Sequence, residues 1–243
     1  MSRLELGTGP AGRTAAHVWG RLSVVVSVEA VLLDLDGTLV DSVYVHAMAW
    51  REAFREVGLD VPTYQLHRAV GMGGDRLVAA VAGEGVEHGI GDVVRKLHDQ
   101  LFQERLSEVR PLGGATEVLN ACRDRGLRMV LASSSPPELT ETLLSMVESS
   151  HLIGEMVCGD EAPSKPAPDL VERALERAHT SHAFLVGDAV WDVESADRAG
   201  IPCVGLLTGG YSEAELREAG AVAVFDTPRS LAAHLDEVLQ IAT

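Results

Sequence analysis

The sequence predicts an α/β fold: a doubly wound parallel sheet with a helical unit inserted after its first strand. Three observations lead there. Short β-branched and aliphatic runs alternate with longer stretches of helical period, the runs end on polar or acidic residues, and one gap between runs is too long for a single crossover helix. The 243 residues, 46% of them apolar and 23% charged, suffice for a core of ordinary size, alone or with a small satellite.

Residues 1–27 carry Gly7, Gly9, Pro10 and Gly12 with no sustained period, which predicts a poorly ordered extension. From Glu29 onward the apolar runs are 30–33, 127–132, 156–158, 183–186, 203–207 and 221–225, mostly with the character of central strands. The residues that follow four of them are Asp34, Ser133, Gly159-Asp160 and Gly187-Asp188. In an open parallel sheet, ligands bind in the crevice beyond the carboxyl ends of the strands, where these residues would stand.

Between the first and second runs lie about ninety residues with no comparable strand, more than one crossover needs. Amphipathic stretches fill that gap at 49–57, 75–82 and 93–109, the last with Val93, Val94, Leu97, Leu101 and Leu106 at three- to four-residue spacing. The expected division is a core of 28–43 and 111–243 and a helical insertion of 44–110. The insertion leaves near Asp41-Ser42 and returns near residues 110–114, on two short connectors able to act as a hinge.

A formal charge of −16 and a sequence pI near 4.9 exclude a basic field, so neither nucleic acid nor an anionic membrane is an expected partner. The same acidity would repel an anionic substrate, and any site for one must create positive potential locally. No window reaches the length of a membrane span, and Val24-Val25-Val26 lacks the features of a secretory signal, so the cytoplasm is the expected location. Cys122, Cys158 and Cys203 lie far apart with no CxxC pairing and read as buried free thiols.

Asp34-Leu35-Asp36-Gly37-Thr38 places two carboxylates one residue apart at the end of a buried run, a costly arrangement unless a cation or shared proton compensates them. A metal-binding pair is the simplest account, although a bare Asp-x-Asp-Gly is as readily a turn whose aspartate caps the next helix. A calcium loop fails on spacing, with Leu39 and Val45 where glycine and glutamate would be needed. Ser133-Ser134-Ser135 is a small-residue loop suited to surrounding a phosphate oxygen, and no GxSxG elbow marks a serine nucleophile. Lys165, one of two lysines in the chain with Lys96, is flanked by Pro163, Pro166 and Pro168, which would hold one cation in a fixed place. Asp188 and Asp192 supply further hard oxygens of the kind that suit Mg²⁺, with helix capping as the alternative.

Taken in order, Asp34-Leu35-Asp36-Gly37-Thr38, Ser133, Lys165-Pro166-Ala167-Pro168-Asp169 and Gly187-Asp188 with Asp192 resemble the four motifs of the haloacid dehalogenase superfamily, over residues 29–225. Asp41-Ser42, His46, Trp50 and the Lys-Pro-Ala-Pro stretch look most like the branch of phosphoglycolate phosphatases and β-phosphoglucomutases. The resemblance implies a Rossmann-like core with a helical cap, Mg²⁺ as cofactor and a small phosphorylated metabolite as substrate. It further implies that Asp34 attacks phosphorus to form an aspartyl-phosphate and that Asp36 protonates the leaving alkoxide and later deprotonates water. Asp34, the Asp36 carbonyl and Asp188 would hold the metal, with Asp192 completing the acidic cluster. Ser133, Ser134 and Lys165 would hold phosphate oxygens.

A small-molecule phosphatase is therefore the expected activity. A phosphosugar mutase is the nearest alternative, disfavoured by the glycines of residues 70–76. A dehalogenase is disfavoured by Asp36, since halide leaves without a proton, and a non-catalytic homologue by the intact acidic set. Gly73, Gly74 and Arg76 are candidate cap contacts to substrate. His46 and Trp50 either face the crevice or pack beneath the cap, while His67, His98 and His179 are expected on solvated faces.

Overall fold

The computed structural model describes residues 27–242, so the expected extension lies outside the described residues but for Ser27. In chain order the elements begin β1 (Ala30–Leu33), β2 (Val40–Asp41), α1 (Val43–Glu56), α2 (Thr63–Ala69), α3 (Gly74–Ala82), α4 (Glu84–Glu104) and β3 (Arg110–Pro111). They continue α5 (Ala115–Asp124), β4 (Arg128–Ala132), α6 (Pro137–Leu144), β5 (Glu155–Val157), α7 (Asp169–Ala178), β6 (Ala183–Gly187) and α8 (Val190–Arg198). The last are β7 (Cys203–Leu206), α9 (Glu213–Ala219), β8 (Ala223–Phe225), α10 (Pro228–Ala233) and α11 (Leu235–Ile241).

Six strands form one parallel sheet in the order β5-β4-β1-β6-β7-β8. Successive side chains of a strand point to opposite faces. Val31 and Leu33 of β1 accordingly enter a core with α5, α6, α10 and α11, while Ala30 and Leu32 enter a second core with α7, α8 and α9. A strand buried on both faces has to be apolar throughout, which is why β1 reads as an unbroken run. Later strands extend the sheet outward from β4 on one side of β1 and from β6 on the other. The direction of winding therefore reverses at β1 and β6, and a crevice opens beyond their carboxyl ends.

Helices α1–α4 fill the long gap and share a third apolar cluster containing Trp50, Phe54, Leu66, Leu77 and Val94. The expected amphipathic stretches overlap α1, α3 and α4, but α1 starts earlier and ends at Glu56, α4 ends at Glu104 rather than at 109, and α2 was not expected. Val93, placed on the apolar stripe of α4, is 50% exposed. The two connectors do not run separately: β2 and β3 pair antiparallel, Val40 opposite Pro111 and Asp41 opposite Arg110. All three cysteines are buried and free. Among the described residues no helix is long and apolar enough to cross a membrane.

Candidate active site

β1 stays laddered to its neighbour one residue past its end, where the Asp34 amide donates to the Val186 carbonyl at 2.9 Å. The chain then turns sharply, with Leu35 O accepting from the amides of Thr38, Leu39 and Val40. Gly37 makes the turn possible, because its φ of +75° is strained for other residues and any Cβ there would strike the Asp188 carboxylate. Thr38 Oγ1 donates to Asp188 Oδ1 at 3.2 Å, tying the turn after β1 to the turn after β6.

Lys165 is fully buried and reaches this junction from the loop before α7. Its Nζ lies 2.5 Å from Asp34 Oδ1 and 2.7 Å from Asp192 Oδ1, and the Ala189 amide donates to Asp192 Oδ2 at 3.0 Å. Asp34, Asp188 and Asp192 each present an oxygen within 4.8 Å of the others, all buried. Burial pushes Asp34 up to about 7, with Asp192 and Asp36 adding to the rise and Lys165 opposing it. Burial likewise raises Asp188 well above the usual carboxylate range, reinforced by Asp192 and Asp34. Three carboxylates against one ammonium leave two negative charges to be matched, the charge of one divalent cation. Hard oxygen donors are what Mg²⁺ selects, so the donor set fits that ion.

Asp36 stands in a different environment. Ser42 Oγ donates to its Oδ1 at 2.5 Å, His46 Nε2 lies 3.1 Å from the same oxygen, and Ser135 Oγ donates to Oδ2 at 3.0 Å. Burial acts to raise this carboxyl, but His46 and the three hydrogen bonds outweigh it and hold Asp36 at about 2. The two aspartates of one short motif are thus driven in opposite directions by their surroundings.

A cavity of about 230 Å³ opens above them, walled on one side by the loops after β4 and β5 and on the other by α1, α3, α4 and the segment between α2 and α3. Ser134 and Ser135 line it; Ser134 Oγ is buried with no hydrogen-bond partner among the described residues and is available to an oxygen of a ligand. Ser133 is fully buried behind them, its Oγ accepting from the Ser135 amide at 3.1 Å, so it shapes the loop rather than lining the cavity.

From the helical side Gly73 and Gly74 line the cavity, and Gly73 lies so close to Ser164 that a Cβ would strike its hydroxyl. Arg76, expected among these contacts, is not part of the lining; its side chain is 41% exposed, beside Asp75. The cation that does line the wall is Arg95, which donates to Gly74 O at 3.0 Å and to both Glu87 oxygens at 2.9 Å. His46 and Trp50 both face the cavity. His98, expected on a solvated face, is 5% exposed and stacks on Trp50 with ring centroids 4.0 Å apart. Its place on the buried stripe of α4 was legible as the four-residue spacing Val94, His98, Phe102. His179 is exposed as expected, whereas His67 is partly buried, its Nε2 2.9 Å from Gly209 O.

The profile of the haloacid dehalogenase-like hydrolases matches residues 28–200. A phosphoglycolate phosphatase of Rhodospirillum rubrum is 32% identical over 219 residues, 84% of this chain and 89% of that protein. One from Pseudomonas syringae pv. syringae is 29% identical over 210 residues, 83% of this chain and 77% of that protein. Among solved structures, a hydrolase from Pseudomonas syringae superposes with a TM-score of 0.81 at 31% identity, covering 86% of this chain and 99% of its own. A putative β-phosphoglucomutase from Bacteroides vulgatus, with TM-score 0.73 and 21% identity over 90% of this chain and 91% of its own, shares the fold. With its sheet order, its strand-end aspartates and these matches in agreement, the chain belongs to the haloacid dehalogenase-like hydrolases.

Proposed function

We propose that the protein is a Mg²⁺-dependent phosphatase that hydrolyses a small carboxylated phosphomonoester through an aspartyl-phosphate on Asp34. The observation that supports this most directly is the separation of two aspartates by environment: Asp34 joined to Lys165 within an acidic cluster, Asp36 held apart by Ser42, His46 and Ser135. Two carboxyls with divergent surroundings are the usual basis for assigning distinct chemical roles. The relatives named phosphoglycolate phosphatases make phosphoglycolate the first ester to test.

Asp34, Asp188 and Asp192 would hold the ion, with the Asp36 carbonyl; when bound it neutralises charge developing on the transferring phosphoryl group. Asp34 keeps one oxygen against Lys165 Nζ, which orients the carboxylate for attack and offers positive charge to phosphate oxygens. The low value of Asp36 and the high value of Asp34 are the reverse of what an acid and a nucleophile need. Two added charges correct both: a cation in the acidic cluster favours ionised Asp34, and a phosphate dianion beside Asp36 favours its protonated form. Ser134 Oγ, without a partner among the described residues, would meet a phosphate oxygen, and Ser133, which accepts from the Ser135 amide, supports the loop that carries it.

We further take residues 44–110 as a cap over a core of 28–43 and 111–243, with the β2–β3 ribbon as the link. Closing such a cavity over the bound ester would exclude bulk water from the reacting groups. The test is a phosphatase screen with Mg²⁺ across two-carbon acid phosphates, hexose phosphates and nucleotides, together with Asp34→Asn. Wild-type release of phosphate from phosphoglycolate, abolished in Asp34→Asn, is expected. Full turnover by the variant would overturn the nucleophile, and conversion of a hexose 1-phosphate to its 6-phosphate outpacing phosphate release would make the protein a mutase.

A further inference from the structure

Asp36 is the first member of a hydrogen-bonded row that leads away from the cavity floor through two helices. Its Oδ1 lies 3.1 Å from His46 Nε2, His46 Nδ1 lies 3.1 Å from His98 Nε2, and His98 Nδ1 lies 3.0 Å from Asp99 Oδ1. His46 comes from α1 and His98 from α4; they are 6% and 5% exposed. His46 stacks on Phe102 and His98 on Trp50, each with centroids 4.0 Å apart, so neither ring turns without losing a stacked neighbour. Asp99, with a side chain 55% exposed, is the end of the row that meets water.

The direction of these bonds follows from donor and acceptor counting. An ionised Asp99 only accepts, so His98 Nδ1 carries a hydrogen. Burial, outweighing Asp99, holds His98 down at about 4, and a neutral ring with hydrogen on Nδ1 has a bare Nε2. That nitrogen accepts from His46 Nδ1, and His46 is left with its Nε2 edge to meet Asp36. Two lone pairs do not attract, so one hydrogen lies between His46 Nε2 and Asp36 Oδ1.

We propose that His98 is a positioning residue for the reaction: by accepting from His46 it fixes the plane and tautomer of that ring, and so keeps the acid Asp36 aimed and supplied with a hydrogen. This rests on the assignment of Asp36 as the proton donor and deepens it. As the bond from Asp34 to phosphorus forms and the ester P–O bond breaks, the leaving oxygen takes the hydrogen held between His46 and Asp36, delivered through the Asp36 carboxyl. When water then attacks phosphorus and the Asp34–phosphorus bond breaks to release inorganic phosphate, the proton lost by water returns to the same place. Asp99 acts one step further out by setting the His98 tautomer.

The test separates esters that need a proton from one that does not. His98→Phe keeps a flat ring beside Trp50 and removes the acceptor; His98→Gln keeps an acceptor near the position of Nε2. kcat/KM of the Mg²⁺-loaded enzyme is measured for 4-nitrophenyl phosphate, whose phenolate leaves unprotonated, and for phosphoglycolate or the alkyl ester turned over fastest in the screen. His98→Phe is expected to lose about 100-fold on the alkyl ester, in the range of a general acid–base contribution, and less than about 5-fold on the aryl ester. His98→Gln is expected to recover most of the alkyl activity. Equal losses on both esters, or no loss on the alkyl ester, overturn the proposal. Asp36→Asn is the control: if it fails to discriminate between the esters, the acid assignment itself is wrong, whereas discrimination by Asp36→Asn but not by His98→Phe sinks the role of His98 alone. Should His98→Phe not fold, Asp99→Ala on the exposed end carries the same comparison, with a selective alkyl loss expected and a uniform one overturning the proposal.

Discussion

The Lys165 ammonium and the Asp34 carboxylate meet at 2.5 Å in a site where Lys165 has no exposed surface and Asp34 is 5% exposed. Burial works to strip the lysine of its proton, but Asp192 and Asp34 hold its affinity for that proton above that of an ordinary lysine. One cation therefore serves two buried carboxylates, and its removal leaves both unmatched.

Lys165→Met, close in volume and without charge, should be damaging for that reason. Breaking a buried pair by removing one partner costs about 3–5 kcal/mol, and proton uptake by Asp34 and Asp188 should lower that figure. Denaturant melts in chelator are expected to show a large loss of stability, partly restored by Mg²⁺. Turnover should fall by at least about 10²-fold, as when an electrostatic stabiliser of the transition state is lost. A variant that melts like the wild type with and without Mg²⁺ would show that the pair is not holding the site together.

Stability should also respond to pH in the direction opposite to most carboxylates. The folded protein holds Asp34 at about 7 and Asp188 above its ordinary value, so between about pH 4 and pH 7 it binds more protons than the unfolded chain. Stability falls as pH rises wherever the native state holds the excess protons. In chelator the melting temperature should therefore decline across that window. Asp36, held at about 2, contributes with the usual sign, its stability present above pH 4 and lost as pH falls toward 2. Mg²⁺ should flatten the decline between pH 4 and pH 7, and an unchanged slope with the ion present would contradict its binding at Asp34 and Asp188.

Asp188→Asn isolates the acidic cluster from the lysine. The substitution removes one of three mutually repelling buried carboxylates while preserving size and the acceptor for Thr38 Oγ1. In chelator the variant should melt at or above the wild-type temperature. Its gain on adding Mg²⁺ should shrink, because an ion at a hundred times its dissociation constant adds about 2.7 kcal/mol only where the site still binds it. Activity should drop with it. Calorimetric titration with Mg²⁺ gives the affinity directly, and unchanged binding would remove Asp188 from the ligand set.

Much of this chemistry was legible because strand ends and site residues coincide. Asp34 and Asp188 follow apolar runs that are buried on both faces, so the periodicity that located β1 and β6 also located their carboxyl ends. Lys165 was marked by its prolines and by the scarcity of other lysines. The helical side was less transparent. In α2, seven residues long, Leu66 and Ala69 are the buried positions, too few to establish a period. The β2–β3 ribbon is two residues on each strand and depends on a pairing across some seventy positions that no local pattern announces. Arg95 and Arg76 illustrate the same limit. Both belong to amphipathic helices, and it is the packing of α3 on α4, with Glu87 fixing Arg95, that turns one toward the cavity and leaves the other beside Asp75.

The packing of Gly73 against Ser164 brings the helical wall onto the core loop that carries Lys165. Gly73 has ordinary backbone angles, so alanine is tolerable for the chain itself, but its Cβ would strike the Ser164 hydroxyl and crowd the Asp75 carboxylate. The cheapest relief is a small outward shift of the wall, which widens the cavity at its rim and leaves the folded core intact. Gly73→Ala should therefore lower kcat/KM by about 10- to 100-fold, since small misplacements of positioning groups carry penalties of that size, with little change in melting temperature. Ser164→Gly in the same chain removes both the hydroxyl and the Cβ that the new methyl meets and should restore a large part of the loss. A double variant no better than Gly73→Ala alone would mean that the close approach of these two residues does not set the width of the cavity.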